Sequence, residues 1–164
     1  MLNYTWIALV LLAVAMVSAC DHSAQIKPGE NANMIDEQKL HLLQVFADAW
    51  NKHDIATLKA CMTEDCVFES SAGPDACGTR YSGQEAVVAA FAEVFATFPD
   101  AQWRNARHFI AGDRGVSEWT FTATRADGTR VEVNGCDLLT FREGKIAIKN
   151  SYRKNRPALG ASNR

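Results

Sequence analysis

Between residues 101 and 154, apolar and polar positions alternate with a period of two, broken at Gly112-Asp113, Asp127-Gly128 and Glu143-Gly144. That alternation marks strands with one buried face, and two-residue loops of this composition join antiparallel neighbours. Four strands are predicted, over about 102–111, 115–125, 130–142 and 145–154. Upstream the period changes. Across 34–52, Leu40, Leu43, Ala47 and Trp50 form a helical stripe with Phe46 alongside. Asp54 can cap a short second helix through Met62, burying Ile55, Leu58 and Met62. Cys66–Ser70 reads as a short strand and Ser71–Ser82 as a loop. Ser82-Gly83-Gln84-Glu85 has the spacing of a capping box, in which Ser and Glu satisfy orphan amides reciprocally. The helix it opens carries Val87, Val88, Phe91, Val94, Phe95 and Phe98, and Pro99 stops it.

The resulting order, α-α-β-α-β-β-β-β, is that of an α+β fold. Three helices are the only cover for a curved, mostly antiparallel sheet, and they leave a cone-shaped cavity beneath them. Counting outward from two-residue loops puts Arg107 opposite Glu118, Glu118 opposite Asp137, and Asp137 opposite Asn150. Trp103, Phe109, Val116, Val131, Val133, Leu139, Phe141, Ile146, Ile148 and Tyr152 share their face. The other face carries Arg104, His108, Ser117, Thr140, Lys149 and Arg153, together with Trp119, Phe121 and Leu138. An apolar group on a polar face marks a partner surface, so a homodimer through Trp119, Phe121 and Leu138 is expected.

A carboxylate among apolar side chains is costly unless it is paired or does chemistry. Asp137 is therefore the candidate general acid/base. Apolar neighbours and a second carboxylate across from it disfavour the charged form, as a base working near neutrality requires. Arg107 pulls the other way by neutralising Glu118, and Asn150 can donate to a developing enolate oxygen. The competing reading is an ion-pair row that only spaces the strands. Phe46, Trp50, Phe95, Trp103 and Tyr152 are candidate pocket walls. His108, on the outer face in this register, reads as a surface or interface residue, and His53 as a helix cap. Glu69 and Tyr81 bracket a loop placed to close the cavity mouth.

The composition narrows the partners. A net charge of −2 provides no clustered basic surface, so nucleic acid is not expected. The four His are scattered and no cysteines have the Cys-x-x-Cys spacing of a zinc site, so neither is a metal. Trp6–Ala19 is an apolar run, shorter than the roughly 20 residues of a membrane span and close to a signal-peptide core. The Val17-Ser18-Ala19-Cys20 tetrad that ends it resembles a bacterial lipobox. On that resemblance 1–19 is a signal peptide, Cys20 carries the lipid, and Asp21 keeps the protein in the inner membrane, facing the periplasm. An uncleaved N-terminal anchor is the alternative. Residues 20–33 then form a tether, 34–156 the domain and 157–164 a flexible tail. Export would permit disulfides among Cys61, Cys66, Cys77 and Cys136, with Cys66 and Cys77 the favoured pair.

Several segments together resemble the SnoaL-like (polyketide cyclase and ketosteroid isomerase-like) proteins of the nuclear transport factor 2-like superfamily. They are Ala49-Trp50-Asn51-Lys52-His53-Asp54, Thr63-Glu64-Asp65-Cys66-Val67-Phe68-Glu69, Tyr81-Ser82-Gly83-Gln84-Glu85-Ala86-Val87, Gly135-Cys136-Asp137-Leu138-Leu139-Thr140-Phe141 and Glu143-Gly144-Lys145-Ile146. The resemblance covers residues about 36–154 and implies the cone-shaped fold. It also implies an acid at Asp137 acting without a cofactor, as an isomerase, cyclase or dehydratase, on a small apolar carbonyl or polycyclic compound. The fold hosts many activities, and its binding-only members make a non-catalytic ligand-binding or dimeric interaction module the alternative. The first helix lacks the Tyr of the ketosteroid isomerase pattern, so steroid isomerisation is not implied.

Overall fold

The computed structural model describes residues 35–157, and α-helices cover one face of a single sheet. The elements are α1 (Asp36–Lys52), α2 (Ile55–Ala60), β1 (Met62–Glu69), β2 (Arg80–Ser82), α3 (Gln84–Thr97), β3 (Gln102–Ala111), β4 (Arg114–Thr124), β5 (Arg130–Arg142) and β6 (Lys145–Arg153). The six strands lie in the order β2-β1-β6-β5-β4-β3, antiparallel except where β1 runs parallel to β6. The expected α+β cone holds, with β2 as an added strand inside the predicted loop. The signal peptide, Cys20, Asp21, the tether and all but the first residue of the tail lie outside the described residues.

Helix α1 buries Lys39, Leu43, Phe46, Ala49 and Trp50, a stripe one position away from the predicted Leu40, which is exposed. Lys39 is buried because its ammonium reaches the Gly112 carbonyl at 2.7 Å, which ties α1 to the β3–β4 turn. His53 ends the helix in the left-handed region and Asp54 caps α2 through the Thr57 amide, as read from the sequence. The capping box at Ser82 does not form. Ser82 is spent as a strand residue paired with Val67, and Gly83 (φ 83°) is the cap of α3. From the helices, Leu43, Leu58, Val87 and Phe91 pack on Met62, Cys66, Leu139 and Ile146 of the sheet. Burial of about 2 kcal/mol per large apolar side chain makes this contact the main stabilising term.

Three single-residue shifts decide which side chains face the helices. In β3, Asn105 (φ 57°) and Ala106 stand against Trp119 alone, a bulge that puts Trp103 and His108 on one face. The β4–β5 connection is a three-residue loop, Ala126–Gly128. Arg125 donates to the Thr129 carbonyl at 2.9 Å, Gly128 donates back to Arg125 at 2.9 Å, and Gly128 takes φ 79°. That is a turn followed by a left-handed glycine, so every β4–β5 pair moves by one. Ala147 is then an extra residue in β6, where the pairing steps from Phe141↔Ile146 to Thr140↔Ile148. Only the Gly112-Asp113 and Glu143-Gly144 loops are two residues long.

The faces change accordingly. Glu118 pairs with Cys136 and Asp137 with Ser117, while Asn150 pairs with Leu138 and Ser151 takes the place beside Asp137. The expected row of Arg107, Glu118, Asp137 and Asn150 is thus split. Asp137 points into the cone, and the other three point away from it. Trp119 and Phe121 are buried under the helices, so the homodimer surface expected from them loses two of its three residues; Leu138 alone faces outward, near Phe109 and Val116. The four cysteines of this region are free thiols. Cys66 faces the core while Cys77 lies in the surface loop, so the favoured disulfide is not formed.

His108, read from the sequence as outward, is turned inward by the β3 bulge. Its Nδ1 meets the Ser117 hydroxyl at 2.8 Å, and its buried Nε2 has no partner. Desolvation holds this imidazole below its ordinary value of 6.5, with only Asp48 opposing. A lowered folded-state value means that the unfolded chain binds the proton more readily. The stability His108 contributes is therefore whole above pH 6.5 and is lost as pH falls through the depressed value. Urea unfolding at pH 7.5 and 5.5 checks this: the wild type should lose more stability than His108→Gln over that interval.

Candidate functional site

Lys149, Ser151 and Arg153 occupy alternate positions of β6 and so project to the helix-covered face, with Asp137 beside Ser151 on β5. Asp137 Oδ1 accepts from Lys149 Nζ at 2.7 Å and from Ser151 Oγ at 2.6 Å. Its Oδ2 accepts from Trp119 Nε1 at 3.0 Å, and Lys149 Nζ also donates to Ser151 Oγ at 2.6 Å. Asp137 and Lys149 are only 6% and 4% exposed. A lone buried charge costs several kcal/mol, and here each is offset by its partner and by neutral donors and acceptors. The Lys149 ammonium also lies 4.9 Å from the Phe68 ring centroid and 5.3 Å from that of Trp50, within cation–π range.

Gly135 makes this arrangement possible. It sits opposite Trp119, and a Cβ there would overlap the indole, so only glycine lets the ring lie against the sheet with its N–H on Asp137. Trp50 occupies the centre of the aromatic group, with Phe91 and Trp103 each 4.6 Å away between centroids.

The cluster forms part of the wall of a cavity of about 290 Å³ under α3, with Trp50, Phe68, Tyr81, Trp103, Trp119 and Phe121 as apolar lining. Lys149 and Ser151 border it, Arg153 stands at its mouth, and Ser70–Ala72 form the rim. Of the expected pocket residues, Trp50 and Trp103 do line this cavity. Phe46 is packed in the core behind it, and Phe95 stacks on His53 at 4.2 Å without reaching it. Tyr152 is on the outer face, where Asn150 donates to its hydroxyl at 3.3 Å. Tyr81 joins the cavity wall, stacked on Phe68 at 5.7 Å, while Glu69 pairs with Arg80.

A larger open groove of about 1000 Å³ is bordered by the outward Arg107, Glu118, Cys136 and Tyr152 and the loop 71–78, and shares Trp119, Ser151 and Arg153 with the smaller cavity. Arg107 and Glu118 are paired there at 2.8 Å, but both are well exposed. A pair of that kind is worth at most about 1 kcal/mol. Burial and a converging set of polar groups favour the smaller cavity as the functional site.

Asp137 is one layer behind the cavity wall, with both oxygens occupied. The groups presented to a ligand are the remaining N–H of Lys149 and the Ser151 hydroxyl, both held by Asp137. Sequence reasoning put Lys149, Arg153 and Trp119 on the wrong face and did not single out Ser151. The usable signal for Trp119 was Gly128 as the third residue of a three-residue loop, which inverts β4 against β5, while the β6 residues are turned by the extra residue Ala147. Burial pushes the Cys61, Cys66 and Cys136 thiols up, which disfavours the nucleophilic thiolate.

The fold and the cavity define a helix-covered cone of the nuclear transport factor 2-like kind. The sequence profile of the SnoaL-like domain matches residues 43–148, and the chain belongs to that family. A nuclear transport factor 2-like protein of unknown function from Mesorhizobium loti is 31% identical, with 73% of this chain and 93% of that one covered at a TM-score of 0.61. A candidate polyketide cyclase from Xanthomonas campestris pv. campestris has the same fold, at 20% identity, TM-score 0.65 and coverage of 73% and 91%. So does a ketosteroid isomerase-like protein from Catenulispora acidiphila, solved in complex with trimethylamine, at 20% identity, TM-score 0.58 and coverage of 68% and 83%. No curated protein matches the chain in sequence.

The buried pair can be tested by a double-mutant cycle. Asp137→Asn and Lys149→Met should each cost about 3–5 kcal/mol, because each strands its partner. The double variant should cost clearly less than their sum, read by urea unfolding at pH 7.

Proposed function

We propose that this protein binds a small, flat, largely apolar molecule in the cone cavity, with the Lys149–Asp137–Ser151 cluster as the polar anchor for one ligand oxygen. The observation that carries this reading is the aromatic cavity of about 290 Å³ with a satisfied, buried ion pair in its wall. Ligand pockets run from about 300 to 1,000 Å³, so one or two rings fit this volume better than a four-ring skeleton. The candidate polyketide cyclase and the trimethylamine complex among the fold relatives are consistent with a small-molecule role for this fold.

Proton transfer is the second reading, favoured by one contact set. Ser151 and Lys149 both border the cavity while bonded to the same Asp137 oxygen. A ligand carbonyl against Lys149 would have its enolate stabilised, and Asp137 would exchange protons through Ser151 rather than directly. One experiment separates the two. Bicyclic ketones are incubated with the protein in deuterated water, and binding and α-proton exchange are followed together by NMR. An anchor gives binding without exchange and weaker binding in Asp137→Asn. A base gives exchange that Asp137→Asn abolishes while affinity persists. Absence of binding to the wild type would refute both.

We also propose that Cys20 carries a lipid tethering this domain to a membrane facing the periplasm, on the strength of the Val17–Cys20 tetrad. Cys20→Ala should move the protein from the membrane fraction to the soluble one.

A further inference from the structure

We propose that the ligand of this cavity is an anion, an aromatic or cyclic acid whose carboxylate is held at the mouth by Arg153. The inference rests on the cavity being a ligand site and adds the charge and orientation of what it takes. Arg153 is the third of the alternating residues Lys149, Ser151 and Arg153, which run from the floor of the cavity to its opening. Four residues of strand span about 13 Å, so the two cations mark opposite ends of one elongated space.

Their situations differ. Lys149 is neutralised by Asp137, whereas among the described residues no carboxylate pairs with Arg153. Its guanidinium lies over the Phe121 ring at 5.5 Å, which fixes the plane of the fork beside the opening. Partial burial and the nearby Arg125 both disfavour its charge, so a bound anion would relieve an existing cost. Among the described residues Glu93 is the one acidic side chain bordering the cavity, and it makes no ion pair with Arg153. A planar carboxylate matches a guanidinium fork in two parallel bonds, while the apolar body packs against the cavity faces of Trp103 and Phe121. The free N–H of Lys149 remains for an oxygen at the far end.

The test compares 2-naphthoate with neutral 2-naphthamide by calorimetric titration against the full chain, its Arg153→Gln variant and its Arg153→Lys variant. Arg153 is only partly buried and holds no ion pair among the described residues, so its replacement should leave folding intact, which circular dichroism verifies. The wild type should prefer naphthoate by about tenfold or more, the scale of one charge-assisted hydrogen bond. Arg153→Gln should abolish that preference without weakening naphthamide, and Arg153→Lys should keep part of it. Equal binding of the two probes, or a preference that survives in Arg153→Gln, would overturn the anion assignment and leave the cavity reading standing. Failure of both probes to bind the wild type would overturn both.

Discussion

A carboxylate and an ammonium are buried against one another between two neighbouring strands, and the interior of the cone is arranged around keeping them satisfied. Asp137 takes Lys149 and Ser151 on one oxygen and Trp119 on the other. Each of these contacts constrains something larger. The indole must lie flat, which requires a glycine at position 135. The ammonium must sit against Trp50 and Phe68, which joins α1 and β1 to the central strands. Register must also be held, since a slip of one residue would leave both charges unpaired in an apolar interior.

That constraint explains why the sheet departs from simple alternation. The β3 bulge, the three-residue β4–β5 loop and the extra residue in β6 each move a strand by one step. Together they bring His108, Ser117, Asp137 and Ser151 into one inward row, where simple alternation would have set Arg107, Glu118, Asp137 and Asn150. Bulges also bend a strand, and a bent sheet is what encloses a cavity rather than lying flat on the helices. The same irregularities that built the polar cluster therefore made room for a ligand beside it.

Placing Asp137 behind the wall changes what the site can do. A carboxylate with both oxygens filled serves first to fix and neutralise Lys149, and Lys149 and Ser151 meet the ligand in its place. Arg153, further along the same strand, has no such partner, and this difference between two cations on one strand gives the cavity a polar direction.

Period-two and helical periodicities in the sequence determined the elements, their order and the α+β class, because those patterns are local. The breaks at Asn51–Asp54 and Pro99 and the tight turns at Gly112-Asp113 and Glu143-Gly144 were equally legible, since each rests on the backbone preferences of a few adjacent residues. Asp137 stood out as an ionisable group in an apolar strand, and Trp50 and Trp103 as aromatics between the helices and the sheet. Its companions were not legible. Whether Glu118 or Ser117, Asn150 or Ser151, stands beside Asp137 depends on how neighbouring strands are offset. A β-strand repeats every two residues, so one bulged residue or one extra loop position exchanges its inner and outer faces completely. Only the assembled sheet, packed on its helices, decided those offsets, because the free energy that selects them comes from burying Trp119, Phe121 and the Asp137–Lys149 pair together.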